Sequence, residues 1–227
     1  MVDRRIKFRH IECFATVHRE GSLKRACAVL SLTQPALSKT LKELETLLGA
    51  TLMQRGRGGV RLTPEGQAFL EGAETSLAAL RRGVDGVEAL RRGDMATATR
   101  LLTRPFAIQG IVQHGDKVGR TIGYPTANID MGPYLRPAYG IYAVTGRRDD
   151  GTVLKGAANL GIRPTFDPPK ELLEPYFFDF SGDLYGERIE VALIDYLRPE
   201  AKFDSLDALT AQMDADCVRA RAVLASI

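Results

Sequence analysis

Residues 114–130 read HGDKVGRTIGYPTANID, and within them Thr126 and Asn128 stand two positions apart behind a glycine-rich, basic approach. Alternate residues of an extended segment point to one side, so the Thr126 hydroxyl and the Asn128 amide oxygen can be offered together. Both are hard oxygen ligands of the kind that suit Mg2+, an ion that keeps several waters and bridges to nucleotide phosphates. The stretch is not a Walker A loop, because GxxxxGK[ST] is absent, and the catalytic loop and DFG set of protein kinases are absent too.

A second group of side chains with evident chemistry lies in TQPALSKTLKELETLLG, residues 33–49. Thr33, Gln34, Ser38, Lys39 and Lys42 are the types that reach base edges and phosphates when a helix N-terminus enters a major groove. Arg55 and Arg57 follow within RGRGG, a basic tip whose glycines let the backbone approach phosphate.

These groups need elements to hold them. Phe8, Ile11, Phe14, Ala15 and Val17 are close to helical spacing, and Gly21 can end that helix. Ser22 can cap a second helix, in which Leu23, Ala26, Cys27 and Leu30 form the apolar stripe. Thr33 is the expected cap of a third, with Pro35 in its first turn, Leu37, Leu41, Leu44 and Leu48 on one face, and Gly49 at its end. ATLMQR and GVRLT read as two short strands flanking the basic tip, and Thr63-Pro64 opens a long helical stretch to about Arg92, weakened locally by Gly72, Gly83 and Gly86. Beyond it, FAIQGIVQ, GIYAVTGR, VLKGAANL, EPYFFDF and ERIEVALIDY alternate between Gly, Pro and Asp clusters, which predicts a closed antiparallel β-barrel. Leu206, Leu209, Met213, Cys217 and Ala220 then recur at helical spacing behind Ser205, a cap for a terminal helix. The predicted fold is multidomain α and β: a winged helix-turn-helix over residues 1–62, a linker helix over 63–92, a connector over 93–104 and a barrel with its terminal helix over 105–227.

Two resemblances follow from these phrases. SLTQPALSKTLKELETLLGATLMQR followed by RLTPEGQAFL resembles the DNA-binding domain and linker helix of LysR-type transcriptional regulators. That resemblance implies double-stranded DNA as a partner and a homodimer paired through the linker helix. Those regulators continue into a two-lobed α/β sensor domain, and no such alternation of strands and helices follows here.

From Arg104 onward the chain resembles riboflavin kinases, including the kinase module of bacterial bifunctional FAD synthetases. The PTAN motif, NLGIRPTFD, FDFSGDLYGE and YLRPEAKFDSLDAL carry the likeness in the family's order. The resemblance implies ATP and riboflavin as substrates, FMN as product and Mg2+ as cofactor. It assigns Gly115, Arg120, Thr126 and Asn128 to ATP and its Mg2+, with Thr126 and Asn128 on the metal. It makes Glu174 the general base and sets Tyr185, Arg198 and Phe203 along the flavin. The plain alternatives are that Tyr185 and Phe203 are core aromatics, that Arg198 pairs with a neighbouring carboxylate, and that Glu174 is an exposed strand carboxylate beside Glu171. Pro175, next to the base, cannot donate to a β-ladder and belongs only at an edge or bulge. The adenylyltransferase half of the bifunctional enzymes is not seen, so FMN and no FAD is the expected product.

Charge divides the same way. Residues 1–92 carry 16 Lys/Arg against 10 Asp/Glu, and residues 93–227 carry 15 against 18, so the basic surplus lies in the half expected to meet a polyanion. The three cysteines, Cys13, Cys27 and Cys217, are too few and too scattered for a disulfide framework or a zinc site. No apolar run reaches the roughly 18 residues of a membrane span, and MVDRRIKFRH has no secretory signal pattern, so a cytoplasmic location is expected. Three functions of different class fit the whole: a riboflavin kinase with a DNA-binding head, a flavin- or nucleotide-responsive transcription factor using the barrel as sensor, and a fusion without coupling.

Overall fold

Glycine in the left-handed region ends the first helix where the sequence expects it. In the computed structural model, which describes residues 4–56, 59–114, 123–163 and 170–227, with Arg55 and Arg163 described by backbone alone, α1 (Phe8–Glu20) stops at Gly21 with φ 62°. Helix α2 (Leu23–Leu30) follows, although Ser22 makes no side-chain cap bond. Helix α3 (Gln34–Leu48) is capped by Thr33, whose hydroxyl accepts the Ala36 N–H at 3.4 Å, and ends at Gly49 with φ 67°. The strands β1 (Met53–Gly56) and β2 (Gly59–Leu62) pair antiparallel. Val60 N–H donates to Gly21 O at 3.1 Å, which ties this ribbon to the end of α1. Phe14, Leu44, Leu52, Leu70 and Ala73 form one core of this unit, and Cys13, Val17, Ala26 and Leu37 form another. Leu48, expected on the buried face, is 37% exposed at the end of its helix.

Helix α4 (Pro64–Arg92) begins at Thr63, whose hydroxyl accepts the Gly66 N–H and donates to Thr51 O. The chain divides into two compact units within this helix, Met1–Arg82 and Gly83–Ile227. The stretch expected as a connector contains α5 (Met95–Leu102), capped by Asp94, whose carboxylate accepts the Thr97 N–H at 3.0 Å. Ala89 and Leu90 from the end of α4, with Met95 and Ala98 from α5, enter the barrel core.

The barrel strands are β3 (Phe106–Ile111), β4 (Ile129–Asp130), β5 (Gly140–Arg148), β6 (Val153–Arg163), β7 (Lys170–Phe177) and β8 (Arg188–Arg198), all paired antiparallel in the order β3-β8-β5-β6-β7-β4. Gln113 N–H donates to Asn128 O at 2.8 Å across an antiparallel bridge. That contact brings the two outer strands together and nearly closes the sheet into the predicted barrel. Ile108, Ile129, Tyr142, Leu160, Leu173 and Leu193 fill its interior; each such side chain contributes about 1.5–3 kcal/mol when fully buried. The terminal helix α6 (Leu206–Leu224), capped by the Ser205 hydroxyl, lays Ala220 and Leu224 on an outer patch of Ala143, Ala157, Phe178 and Leu197. The expected face is largely kept, with Ala220 buried and Leu209, Met213 and Cys217 half-buried; Leu206, in the first turn, is 57% exposed, and Asp216 joins the buried side. The three cysteines are free thiols. Burial pushes the Cys217 thiol up to about 11, which makes it a packing group.

Candidate active site

Strand register assembles the site, because a residue's place in a β-ladder determines its neighbours on both sides. Glu174 of β7 lies opposite Asn159 of β6, Asn159 opposite Ile141 of β5, and Ile141 opposite Arg198 of β8. On the other side, β4 and β7 pair Ile129 with Leu173 and Asp130 with Leu172. The Ala127 N–H donates to Pro175 O at 2.9 Å, so the same register continues beyond β4 and sets Asn128 opposite Glu174. Gln113 is bridged to Asn128 in turn. One transverse row therefore runs Gln113, Asn128, Glu174, Asn159, Ile141, Arg198.

The polar members of this row are turned away from the core by the two-residue period of a strand. Leu173 and Phe177 belong to the barrel interior, while Tyr176 packs on the outer patch under α6, so Glu174 shares the outer face with Tyr176. Ala127 and Ile129 likewise point inward, which leaves Thr126 and Asn128 together on the outer side. Thr126 is half-buried and Asn128 is 8% exposed. Two adjacent oxygen ligands on one face, at the same level as a carboxylate, fit Mg2+ carrying nucleotide phosphates.

Pro175 sits in a position that costs the strand little. The Phe178 N–H donates to Lys155 O in β6, so donors of even-numbered residues in this part of β7 face β6 and those of odd-numbered residues face β4. The missing proline N–H therefore lies on the β4 side, at Ala127 just before that two-residue strand, and Glu174 keeps its own backbone donor toward β6. The ladder with β4 is only two residues long, as expected where proline removes a donor.

Arg198 lies against both a neighbouring carboxylate and an aromatic ring. Its Nη2 donates to Asp216 Oδ2 at 2.6 Å and its Nε to Oδ1 at 2.9 Å, while the guanidinium stands 5.7 Å from the Phe203 ring centroid. Gln212 Nε2 donates to the same carboxylate at 3.0 Å. Arg198 and Asp216 form a partly buried fork between β8 and α6, which holds the guanidinium plane at a defined angle. Tyr185 stacks on His114 with ring centroids 3.8 Å apart and rests against the barrel core. Gly115 and Arg120 lie outside the described residues.

Several participants escaped the sequence reading. Tyr124, inside GYPTAN, donates to Asp214 on α6 and meets Tyr176 edge-on at 5.1 Å. Burial and the Asp214 carboxylate both push its hydroxyl well above the ordinary tyrosine value, so it stays protonated and pins the motif to α6. Asn159 Nδ2 reaches Glu174 Oε2 at 3.5 Å and Glu200 Oε1 at 3.2 Å. Its position in NLGIRPTFD was visible; its bridging of two carboxylates needed the register.

On the first unit, Thr33, Gln34, Lys39 and Lys42 are exposed along α3, and Ser38 is half-buried. Arg55 lies in β1, its side chain outside the described residues, and Arg57 lies outside them altogether.

Comparison with known proteins agrees with this division. Residues 102–224, more than half of the chain, match the riboflavin kinase (flavokinase) family, and residues 8–67 match the bacterial regulatory helix-turn-helix proteins of the lysR family. The chain is 44% identical over 135 residues to a bifunctional riboflavin kinase/FMN adenylyltransferase of Haemophilus influenzae, covering 60% of this chain and 44% of that one. It is 42% identical over 156 residues to the protein so described in Escherichia coli, covering 68% of this chain and 48% of that one. The chain thus spans about half the length of the curated relatives it matches. A solved structure described as a macrolide-efflux protein from Streptococcus pneumoniae superposes with a TM-score of 0.54 at 38% identity, over 59% of this chain and 44% of that one. Among the described residues no helix is long and apolar enough to cross a membrane. The barrel, the PTAN segment on its outer face and the match over most of the second unit lead to one conclusion: the chain belongs to the riboflavin kinase family.

Proposed function

We propose that the second unit transfers the γ-phosphoryl group of Mg-ATP to the 5′-hydroxyl of riboflavin, giving FMN, and that the first unit binds double-stranded DNA. The observation that carries the kinase reading is the register of Asn128 opposite Glu174, beside Thr126 on the same outer face. Phosphoryl transfer asks a protein chiefly for positioning and charge neutralisation. Thr126 and Asn128 would hold Mg2+, which supplies neutralisation of the β- and γ-phosphates, and Gly115 and Arg120 would complete the nucleotide site. Glu174 would accept the proton of the 5′-hydroxyl as its oxygen attacks the γ-phosphorus and ADP leaves. Arg198 and Phe203, stacked on one another, and Tyr185 would line the flavin. Because Arg198 is committed to Asp216, it serves as an oriented plane for the substrate and not as a mobile phosphate ligand.

The exposed polar start of α3 supports the DNA-binding reading for Thr33, Gln34, Ser38, Lys39 and Lys42, with Arg55 and Arg57 on the wing. Leu80, Val84 and Val87 recur at i, i+4 and i+7 on α4 and are exposed by 50%, 51% and 36%, which supports pairing of two chains through this helix. Incubation with riboflavin and Mg-ATP, followed by separation of flavins, tests the enzyme; bound flavin without FMN would overturn it. A second reading, in which the barrel also informs the head, is favoured by the last turns of α4 lying in the barrel core. It predicts that FMN changes affinity for a DNA fragment, and an unchanged affinity removes it.

A further inference from the structure

Asn159 is placed between two carboxylates, and that decides which way its amide faces. Its two candidate contacts, Glu174 Oε2 at 3.5 Å and Glu200 Oε1 at 3.2 Å, are acceptors. Only the NH2 end of an amide has protons to give, so Nδ2 must face them and Oδ1 must face away. Asn159 Oδ1 is buried and has no hydrogen-bond partner among the described residues. A buried acceptor left unmatched is costly, and such atoms are uncommon. Glu200 reaches this position because residue 161 is glycine: a Cβ there would lie 2.1 Å from Glu200 Oε1.

We propose that Asn159 is a positioning and specificity residue for the flavin substrate. Its NH2 group holds Glu174 and Glu200 from the same side, and its Oδ1 accepts a hydrogen bond from the ribityl 4′-hydroxyl, next to the hydroxyl that Glu174 deprotonates. The proposal rests on the riboflavin kinase reading. It assigns to one amide two tasks that a hydrophobic residue could not perform: directing the base and checking that the polyol chain carries a donor at the adjacent carbon. A site built to hydrogen-bond a hydroxyl discriminates against an analogue that lacks it, because the buried partner is then left unpaired.

The test is a cycle between enzyme and substrate. Riboflavin and 4′-deoxyriboflavin are compared in the full-length wild type, Asn159→Ala and Asn159→Ser, with a melting curve for each variant. The wild type should lose about tenfold in kcat/KM on the deoxy substrate. Asn159→Ala should be slower on riboflavin and show almost no further loss on the deoxy analogue, with KM for ATP little changed. Asn159→Ser, which keeps an oxygen acceptor, should recover part of the discrimination. Asn159→Asp adds a third carboxylate beside Glu174, so the acid limb of its pH profile should move to higher pH. An equal deoxy penalty in wild type and Asn159→Ala, or an acid limb unmoved in Asn159→Asp, overturns the proposal. If the wild type forms no FMN, the kinase reading fails on its own. The same cycle is then read by quenching of flavin fluorescence on binding, where equal penalties again overturn the assignment of Oδ1.

Discussion

Two carboxylates on β7, three residues apart, behave differently because of what surrounds them. Glu174 belongs to the outer row with Asn128 and Asn159, the place of the proposed base. Replacing it by Gln should lower kcat by about 10²–10⁴-fold while leaving ATP affinity within about threefold, as measured by single-turnover kinetics and nucleotide titration; loss of ATP binding instead would make Glu174 a nucleotide ligand. Glu171 is a structural group. The Tyr139 hydroxyl donates to it, and Arg136 Nε approaches at 2.7 Å, which together hold its carboxyl below the usual carboxylate range. A folded pKa below the unfolded one means that the contribution to stability is complete above the unfolded value and is lost as pH falls through the folded one. Wild type should therefore exceed Glu171→Gln in urea resistance at pH 7. That margin should shrink as pH is lowered from about 4.5. A margin independent of pH would remove the ionic part of this account.

At the scale of elements, β7 shows how a proline can stand beside the proposed base in a paired strand. Its missing donor faces the end of a two-residue partner, and its carbonyl still accepts the Ala127 N–H. Pro175→Ala should consequently change stability by no more than about 1 kcal/mol and leave kcat within about threefold, measured by denaturation and FMN formation. A large loss would mean that the fixed φ of proline aims Glu174. Gly140, at the start of β5, is the opposite case. Its φ is 149°, and a Cβ there would lie 2.2 Å from Arg198 O and 2.8 Å from the Tyr196 ring. Gly140→Ala should displace the Arg198 end of the site and destabilise the barrel by about 1–3 kcal/mol, with KM for riboflavin raised as the readout of displacement.

For the whole molecule the relevant quantities are charge distribution and concentration. Binding of the head to DNA should weaken as salt rises, with a log–log slope of about −0.9 for each phosphate neutralised. Lys42→Ala should make that slope shallower by about one and weaken all sequences alike, while FMN formation is unaltered. An unchanged slope would place Lys42 outside the DNA contact. If α4 pairs two chains, Leu80→Glu should shift sedimentation from dimer to monomer.

Local rules were enough for much of this molecule. Helix ends at Gly21 and Gly49, the Thr33, Thr63 and Ser205 caps, and the alternation of the barrel strands are decided by residues within a few positions of one another, so they could be read from the chain. The Thr126–Asn128 pair was legible for the same reason, since strand periodicity alone sets it on one face. Asp94 as the cap of α5 obeyed the same local rules and was overlooked. What no local rule supplies is register between strands distant in sequence. Only the barrel sets Asn128 opposite Glu174 and Asn159 opposite Glu174, brings Asp216 from α6 to Arg198, and sets the donor position of Pro175 on the side of the short β4 strand. Those relations arise from wrapping six strands around one core, where the packing of Ile129, Leu160 and Leu173 decides which outer residues share a row, and so what the Thr126–Asn128 pair has for company.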